Sequence, residues 1–202
     1  MSRLLCLTLL LLVVAACAPP AEEQAPGLDL PESKRTELGL YVTATEAYAR
    51  WKADSTGVRI LDVRTPEEYI FVGHPPMARN IPLRFVEHAW DAEKRRPVMP
   101  PNPKFVDEVK QAYQPDDTIM VICRSGSRSA AAVNLLTKAG FEKLYAVTDG
   151  FEGDRVKGPD ASSFGTKTIN GWRNSNMPWT YDLDPELMYL PTDDKSSGSE
   201  ME

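Results

Sequence analysis

Cysteine and histidine are scarce in this chain of 202 residues, which holds three of the first and two of the second. His74 and His88 stand apart from each other and from any cysteine, so no metal-ligand spacing is present. No block of lysine and arginine occurs either. Basic residues number 23 against 29 acidic ones, for a net charge of -6. That balance argues against duplex nucleic acid or an anionic membrane surface as a partner. The apolar run from Leu4 to Ala16 falls short of the ~20 residues that a membrane-crossing helix needs.

What that run does fit is an export signal: a short basic head, Met1 to Arg3, precedes it, and Cys17 follows it. Val14-Ala15-Ala16-Cys17 resembles a bacterial lipobox, in which Cys17 is lipidated and becomes the first mature residue. The alternative is a plain secretory signal cut near Ala16 or Ala18. The reading divides the chain into a signal over 1–16, a lipidated tether over 17–36, a folded domain over 37–190, and an acidic tail over 191–202. Prolines at 19, 20, 26 and 31 keep the tether extended. The expected location is the bacterial cell envelope, periplasmic, with the outer membrane favoured because Ala18 is not acidic. Lipid is the only membrane contact expected. Cys6 leaves with the signal and Cys17 carries lipid, so the mature chain keeps one free thiol, Cys123. A single leftover cysteine in an oxidising compartment is a reactive thiol or a buried inert one.

Residues 38 to 190 alternate strand-like and helix-like stretches. Leu40 to Val42 begins a strand, and Thr43-Ala44-Thr45-Glu46 fits a capping box that opens a helix to about Asp54. Val58 to Val63, Ala78 to Ile81, Thr118 to Cys123 and Lys143 to Thr148 read as further strands. Pro66 to Val72, Pro103 to Tyr113 and Ser129 to Ala139 read as helices, with Gly140 suited to stop the last. Such alternation predicts an α/β fold with a mostly parallel sheet covered on both faces. Ligands bind beyond the carboxyl ends of strands in such sheets. Asp62 to Arg64, Cys123 and Asp149 to Arg155 all fall at those ends. Two stretches, 84–103 and 153–171, read as insertions. The first carries Trp90 and is a candidate docking surface for a protein partner.

Cys123-Arg124-Ser125-Gly126-Ser127-Arg128 joins a strand to a helix. Amides in the first turn of a helix lack internal partners, and the helix dipole adds partial positive charge there. Small residues let the loop curl so that its N–H groups converge. Such a junction favours the thiolate, the reactive form of cysteine. Arg124 and Arg128 add fixed charge with forked donors suited to an oxyanion. Ser127 and Ser129 are candidate helix caps. A phosphate-binding loop is a poorer match, because the Gly-Lys-Ser/Thr ending is missing. The chemistry requires a thiol that its reactants can reach.

At these residues the chain resembles the single-domain rhodaneses, a family of sulfurtransferases. The resemblance runs from about Leu38 to Trp179. It rests on the loop above, on Leu61-Asp62-Val63-Arg64-Thr65-Pro66-Glu67-Glu68-Tyr69 with Gly73-His74 and Asn80-Ile81-Pro82, and on Gly171-Trp172 with Met177-Pro178-Trp179. It implies a three-layer sandwich around a five-stranded sheet. It implies that Cys123 takes sulfur from an anionic donor such as thiosulfate and passes it to a thiol or cyanide. The amides of Arg124 to Ser129 then hold the sulfur, and Arg124 and Arg128 bind the donor. Asp62 and Arg64 support the loop, and Glu68 pairs with Arg64. His74 is a turn residue, and the four tryptophans are packing residues. No cofactor or metal is expected. This chain departs from the family's usual pattern in placing three residues between Tyr69 and Gly73, and in Pro75-Pro76-Met77-Ala78-Arg79.

Two other readings stand beside this one. Cysteine-loop phosphatases and arsenate reductases place five residues between cysteine and arginine, whereas four separate Cys123 from Arg128. A shorter loop is the better match to a single sulfur atom. The other alternative is a non-catalytic sulfur-binding or partner-binding module.

Overall fold

The structure is a computed structural model that describes residues 29–157 and 165–191. The signal, Cys17, the tether up to residue 28 and the acidic tail from 192 lie outside the described residues.

Five parallel strands form the central sheet in the order β1 (Tyr41–Val42), β7 (Leu144–Val147), β6 (Thr118–Ile122), β2 (Val58–Asp62), β3 (Ala78–Asn80). β6 and β7 are apolar and almost wholly buried, as strands covered on both faces must be, and β2 is buried except at Arg59. The register pairs Asp62 with Ile122 and Val121 with Ala146, which sets the carboxyl ends of three strands side by side.

Helices follow the sequence signals closely. α1 (Ala44–Ala53) and α2 (Pro66–Val72) each open with a complete capping box, Thr43 with Glu46 and Thr65 with Glu68. α3 (Phe105–Ala112) buries Phe105 and Val109 against one face of the sheet. α4 (Ser127–Lys138) buries Ala132, Val133 and Leu136 there too. The opposite face is covered by Ala44 and Ala47 of α1 with Trp172 and Met177. The insertion at 84–103 is a β-hairpin, with β4 (Trp90–Asp91) antiparallel to β5 (Arg96–Pro97). Leu83 N donates to Val63 O at its root, so the hairpin leaves from the carboxyl edge of the sheet. Trp90 is 64% exposed and packs into no core, contrary to its reading as a packing residue.

Residues 30–36 were read as tether, yet they lie on the domain. Leu30 is buried, a 3-10 turn forms over Glu32–Lys34, and Glu37 N donates to Asn134 Oδ1 on α4. No helix among the described residues is long and apolar enough to cross a membrane.

Candidate active site around Cys123

Cys123 directly follows β6, and α4 starts four residues later. Gly126 turns the chain with φ +103°, a conformation that suits glycine. Its N–H donates to Cys123 Sγ over 3.1 Å. The helix begins at Ser127, two residues earlier than the sequence pattern suggested, because Gly126 itself is the N-cap. Neither serine caps it. Ser127 Oγ faces Ser33 Oγ at 3.5 Å, and Ser129 Oγ is buried without a partner.

A second loop clamps the first. Phe151 N donates to Cys123 O (2.7 Å) and Glu152 N to Arg124 O (2.9 Å). The approach is so close that a Cβ on Gly150 would stand 2.6 Å from the backbone of Cys123, Arg124 and Ser125. A third segment holds the second: Trp172 N donates to Gly150 O and Arg173 N to Phe151 O. Asp149 ties this stack to α1, accepting from Ala44 N and Gly171 N. Burial holds its carboxyl above the usual range, against those two bonds.

Comparison with known proteins agrees with this arrangement. A model of the rhodanese-like domain family matches residues 43–155. The chain belongs to that family. Thiosulfate sulfurtransferase 16 of the Arabidopsis thaliana chloroplast is 36% identical over 95 residues, which are 47% of this chain and 72% of that protein. An uncharacterized protein of Rickettsia rickettsii is 27% identical over 140 residues, 69% of this chain and 96% of its own length. Among solved structures, that of Rv0390 from M. tuberculosis superposes with a TM-score of 0.55 at 26% identity, covering 70% of this chain and 96% of that one.

Both arginines of the rhodanese-like loop are engaged by carboxylates. Arg128 forms a two-pronged pair with Glu68 of α2, at 2.6 and 2.7 Å. Arg124 donates from Nε to Glu152 at 3.1 Å and keeps 44% of its side chain exposed. Burial opposes the charge on Arg128, but Glu68 outweighs it, and the proximity of Cys123 adds to the raised pKa. Burial likewise pushes Glu68 up, and the Arg128 fork more than reverses it. Glu68 was expected to pair with Arg64. Arg64 is instead taken by Asp62, two residues before it, through bonds of 2.6 to 3.0 Å.

The Asp62–Arg64 pair is fully buried. Arg64 also donates to Gly73 O, and its guanidinium lies 4.2 Å from the centre of the Phe151 ring. Phe151 is the residue whose amide holds Cys123 O. The pair therefore supports the loop that clamps the cysteine and lies behind it. Asn80 Nδ2 fixes the same strand ends by donating to the carbonyls of Asp62 and Arg64. His74 stacks on Tyr69 with centroids 3.7 Å apart, and its Nδ1 faces Tyr69 O at 3.0 Å. A carbonyl only accepts, so that nitrogen carries the proton. Burial lowers the His74 pKa, against that bond to Tyr69 O, which raises it.

One expectation fails. Cys123 is 1% exposed, so the thiol lies beneath its loop. The clamping loop holds the Cys123 backbone from behind, and the Arg128–Glu68 fork ties the same loop to α2. Each satisfies groups on the loop that would otherwise need water. Sequence reasoning placed Asp149 to Arg155 near the cysteine but missed Gly150, Phe151 and Glu152 as its clamp. The signal available was Asp149-Gly150 at a strand end. Among the described residues no group of three or more His, Cys, Asp or Glu side chains could hold a metal ion.

Proposed function

We propose that this protein is a sulfurtransferase that works through a persulfide on Cys123. The observation that carries the reading is the Gly126 N–H aimed at Cys123 Sγ at the entrance to α4, with a guanidinium from Arg128 alongside. The thiolate attacks the outer sulfur of a donor such as thiosulfate. Its S–S bond breaks, the electron pair leaves with sulfite, and Cys123 becomes Cys–S–S⁻. Cyanide or a thiolate then attacks the terminal sulfur, and the cysteine thiolate is regenerated. No net electron enters or leaves over the cycle, so neither step calls for an external oxidant or reductant.

Access sets the condition on this chemistry. With Cys123 1% exposed, the donor enters when the Arg128–Glu68 fork opens. The donor's oxyanion then replaces the Glu68 carboxylate on Arg128, exchanging one charge-assisted pair for another. Arg124, already half in solvent, receives the donor first.

The burial of Cys123 and the pairing of both arginines favour a second reading, a non-catalytic module. Mass spectrometry of the intact protein after thiosulfate treatment separates the two. A gain of one sulfur on Cys123, removed by cyanide, supports the enzyme. No adduct at any thiosulfate concentration refutes it. Activity toward an aryl phosphate would instead favour the phosphatase alternative.

The proposal includes the cellular setting. Lipid on Cys17 would anchor the domain in the envelope, on the outer membrane, and the hairpin at 84–103 with its exposed Trp90 would face a protein partner. Metabolic labelling with a radioactive fatty acid tests the anchor: label lost in Cys17→Ser supports it, and label absent from the parent chain excludes it.

A further inference from the structure

At the opposite end of the sheet from Cys123 lies a cavity of about 420 Å³, of a size that takes small molecules. Arg59 of β2 and Arg79 of β3 both line it. The register pairs Leu61 with Arg79, and Arg59 lies two residues from Leu61, so both arginines project from the same face as diagonal neighbours. Like charges placed this way on adjacent strands repel. Arg59 and Arg79 form no ion pair among the described residues. Two carboxylates stand nearby and offset part of this charge. Asp117 lines the same cavity, and the Asp54 pKa is drawn down by the Gly57 amide first and by Arg59 as well, though neither carboxylate forms an ion pair with an arginine among the described residues. Asp117 accepts from Gln114 N, and Asp54 from Gly57 N and Thr56 Oγ1.

Tyr113 completes the polar wall. It is 6% exposed, lines the same cavity and lies close to Arg79. Burial pushes its phenol up to about 12, although both arginines pull it down. The phenol therefore keeps its proton at neutral pH. Its O–H can donate to a ligand oxygen beside the two guanidinium groups. The rest of the lining includes Trp51, Met77, Ile60 and Leu187, which are apolar.

We infer that this cavity binds a small organic phosphate monoester, with its dianionic head on Arg59, Arg79 and Tyr113 and its apolar body against Trp51, Met77 and Leu187. Two guanidinium groups free of direct ion pairs outnumber the one carboxylate in the lining, and their planar forks match phosphate oxygens. The site shares no residue with the cysteine loop.

The test is calorimetric titration of phenyl phosphate into the full chain carrying Cys123→Ser, which silences the thiol and leaves this cavity intact. Saturable one-site binding is expected, weakened at least tenfold in Arg59→Gln and in Arg79→Gln. Inorganic phosphate should bind more weakly than phenyl phosphate. Absence of saturable binding overturns the proposal, as does unchanged affinity in Arg59→Gln. That variant changes a solvent-exposed side chain and decides the matter even if Arg79→Gln fails to fold. Equal affinity for inorganic and phenyl phosphate overturns the apolar half of the assignment.

Discussion

Arg128 and Glu68 meet fork to fork, Nη1 to Oε2 at 2.6 Å and Nη2 to Oε1 at 2.7 Å, bridging the first turns of α4 and α2. Glu68 Oε2 also accepts from Thr65 N, so one carboxylate both caps α2 and covers the reactive loop. If the donor must displace it, Glu68→Gln should lower the KM for thiosulfate, roughly fivefold for a pair worth about 1 kcal/mol. The same change should cost about 2 kcal/mol of stability through the lost charge-assisted bonds. Steady-state kinetics and urea melts measure the two effects separately. An unchanged or raised KM would count against displacement.

Acid should act through this residue. The folded Glu68 pKa lies below its ordinary value of 4.5, because the Arg128 fork outweighs burial. A carboxyl lowered on folding adds stability above its unfolded pKa and loses it as pH falls through the folded one. Stability should therefore decline below about pH 4.5 by an amount that Glu68→Gln removes. Urea melts of both proteins at a series of pH values provide the difference. Parallel curves would exclude Glu68 as the source.

Asp62 and Arg64 form a charge pair with neither side chain exposed. Asp62→Asn leaves a buried guanidinium without a counter-charge, an imbalance that costs about 3–5 kcal/mol. The loss should appear in thermal unfolding, and Leu or Met at both positions should recover more of it than Asn alone.

Gly150→Ala should damage the loop from behind. The new methyl meets three backbone atoms 2.6 Å away, at a φ of +67° that an L side chain seldom adopts. Overpacking of this kind costs about 1–3 kcal/mol, and it should displace the Cys123 carbonyl from Phe151 N. Transfer activity should fall further than stability does. Activity equal to that of the parent chain would show that the clamp does not position the thiol.

Cys123→Ser should abolish sulfur transfer and leave the fold unchanged by circular dichroism, since the smaller oxygen accepts from the same Gly126 amide. Residual turnover at the parent rate would exclude a persulfide at this position.

Much of this arrangement was legible in the chain itself. The Thr43–Glu46 cap is local and formed as its spacing requires, whereas the Thr65–Glu68 cap, equally local, was not singled out. Three of the five strands, β2, β6 and β7, follow from largely apolar runs that only a doubly covered sheet can bury. The partner of Glu68 was not legible. Arg64 lies four residues before Glu68 and Arg128 sixty after, and tertiary packing, which sequence spacing does not encode, decides between them. The contact of residues 30–36 with α4 escaped for a related reason: proline and charge describe a solvated strand equally well whether it is free or laid along a helix. The burial of the thiol was hidden because its cover comes from a loop and a closing segment that sit far along the chain.

The stack that hides Cys123 also dates it. Its outer layer is the backbone of Trp172 and Arg173, which follows the cysteine by a long stretch of polypeptide. A growing chain thus leaves the sulfur unbraced until that late segment arrives and docks. Before that moment the residue has no more protection from oxidants or stray thiols than any unfolded cysteine. The risk of misoxidation is accordingly greatest during biogenesis, and afterwards it falls to the brief openings that admit a reactant.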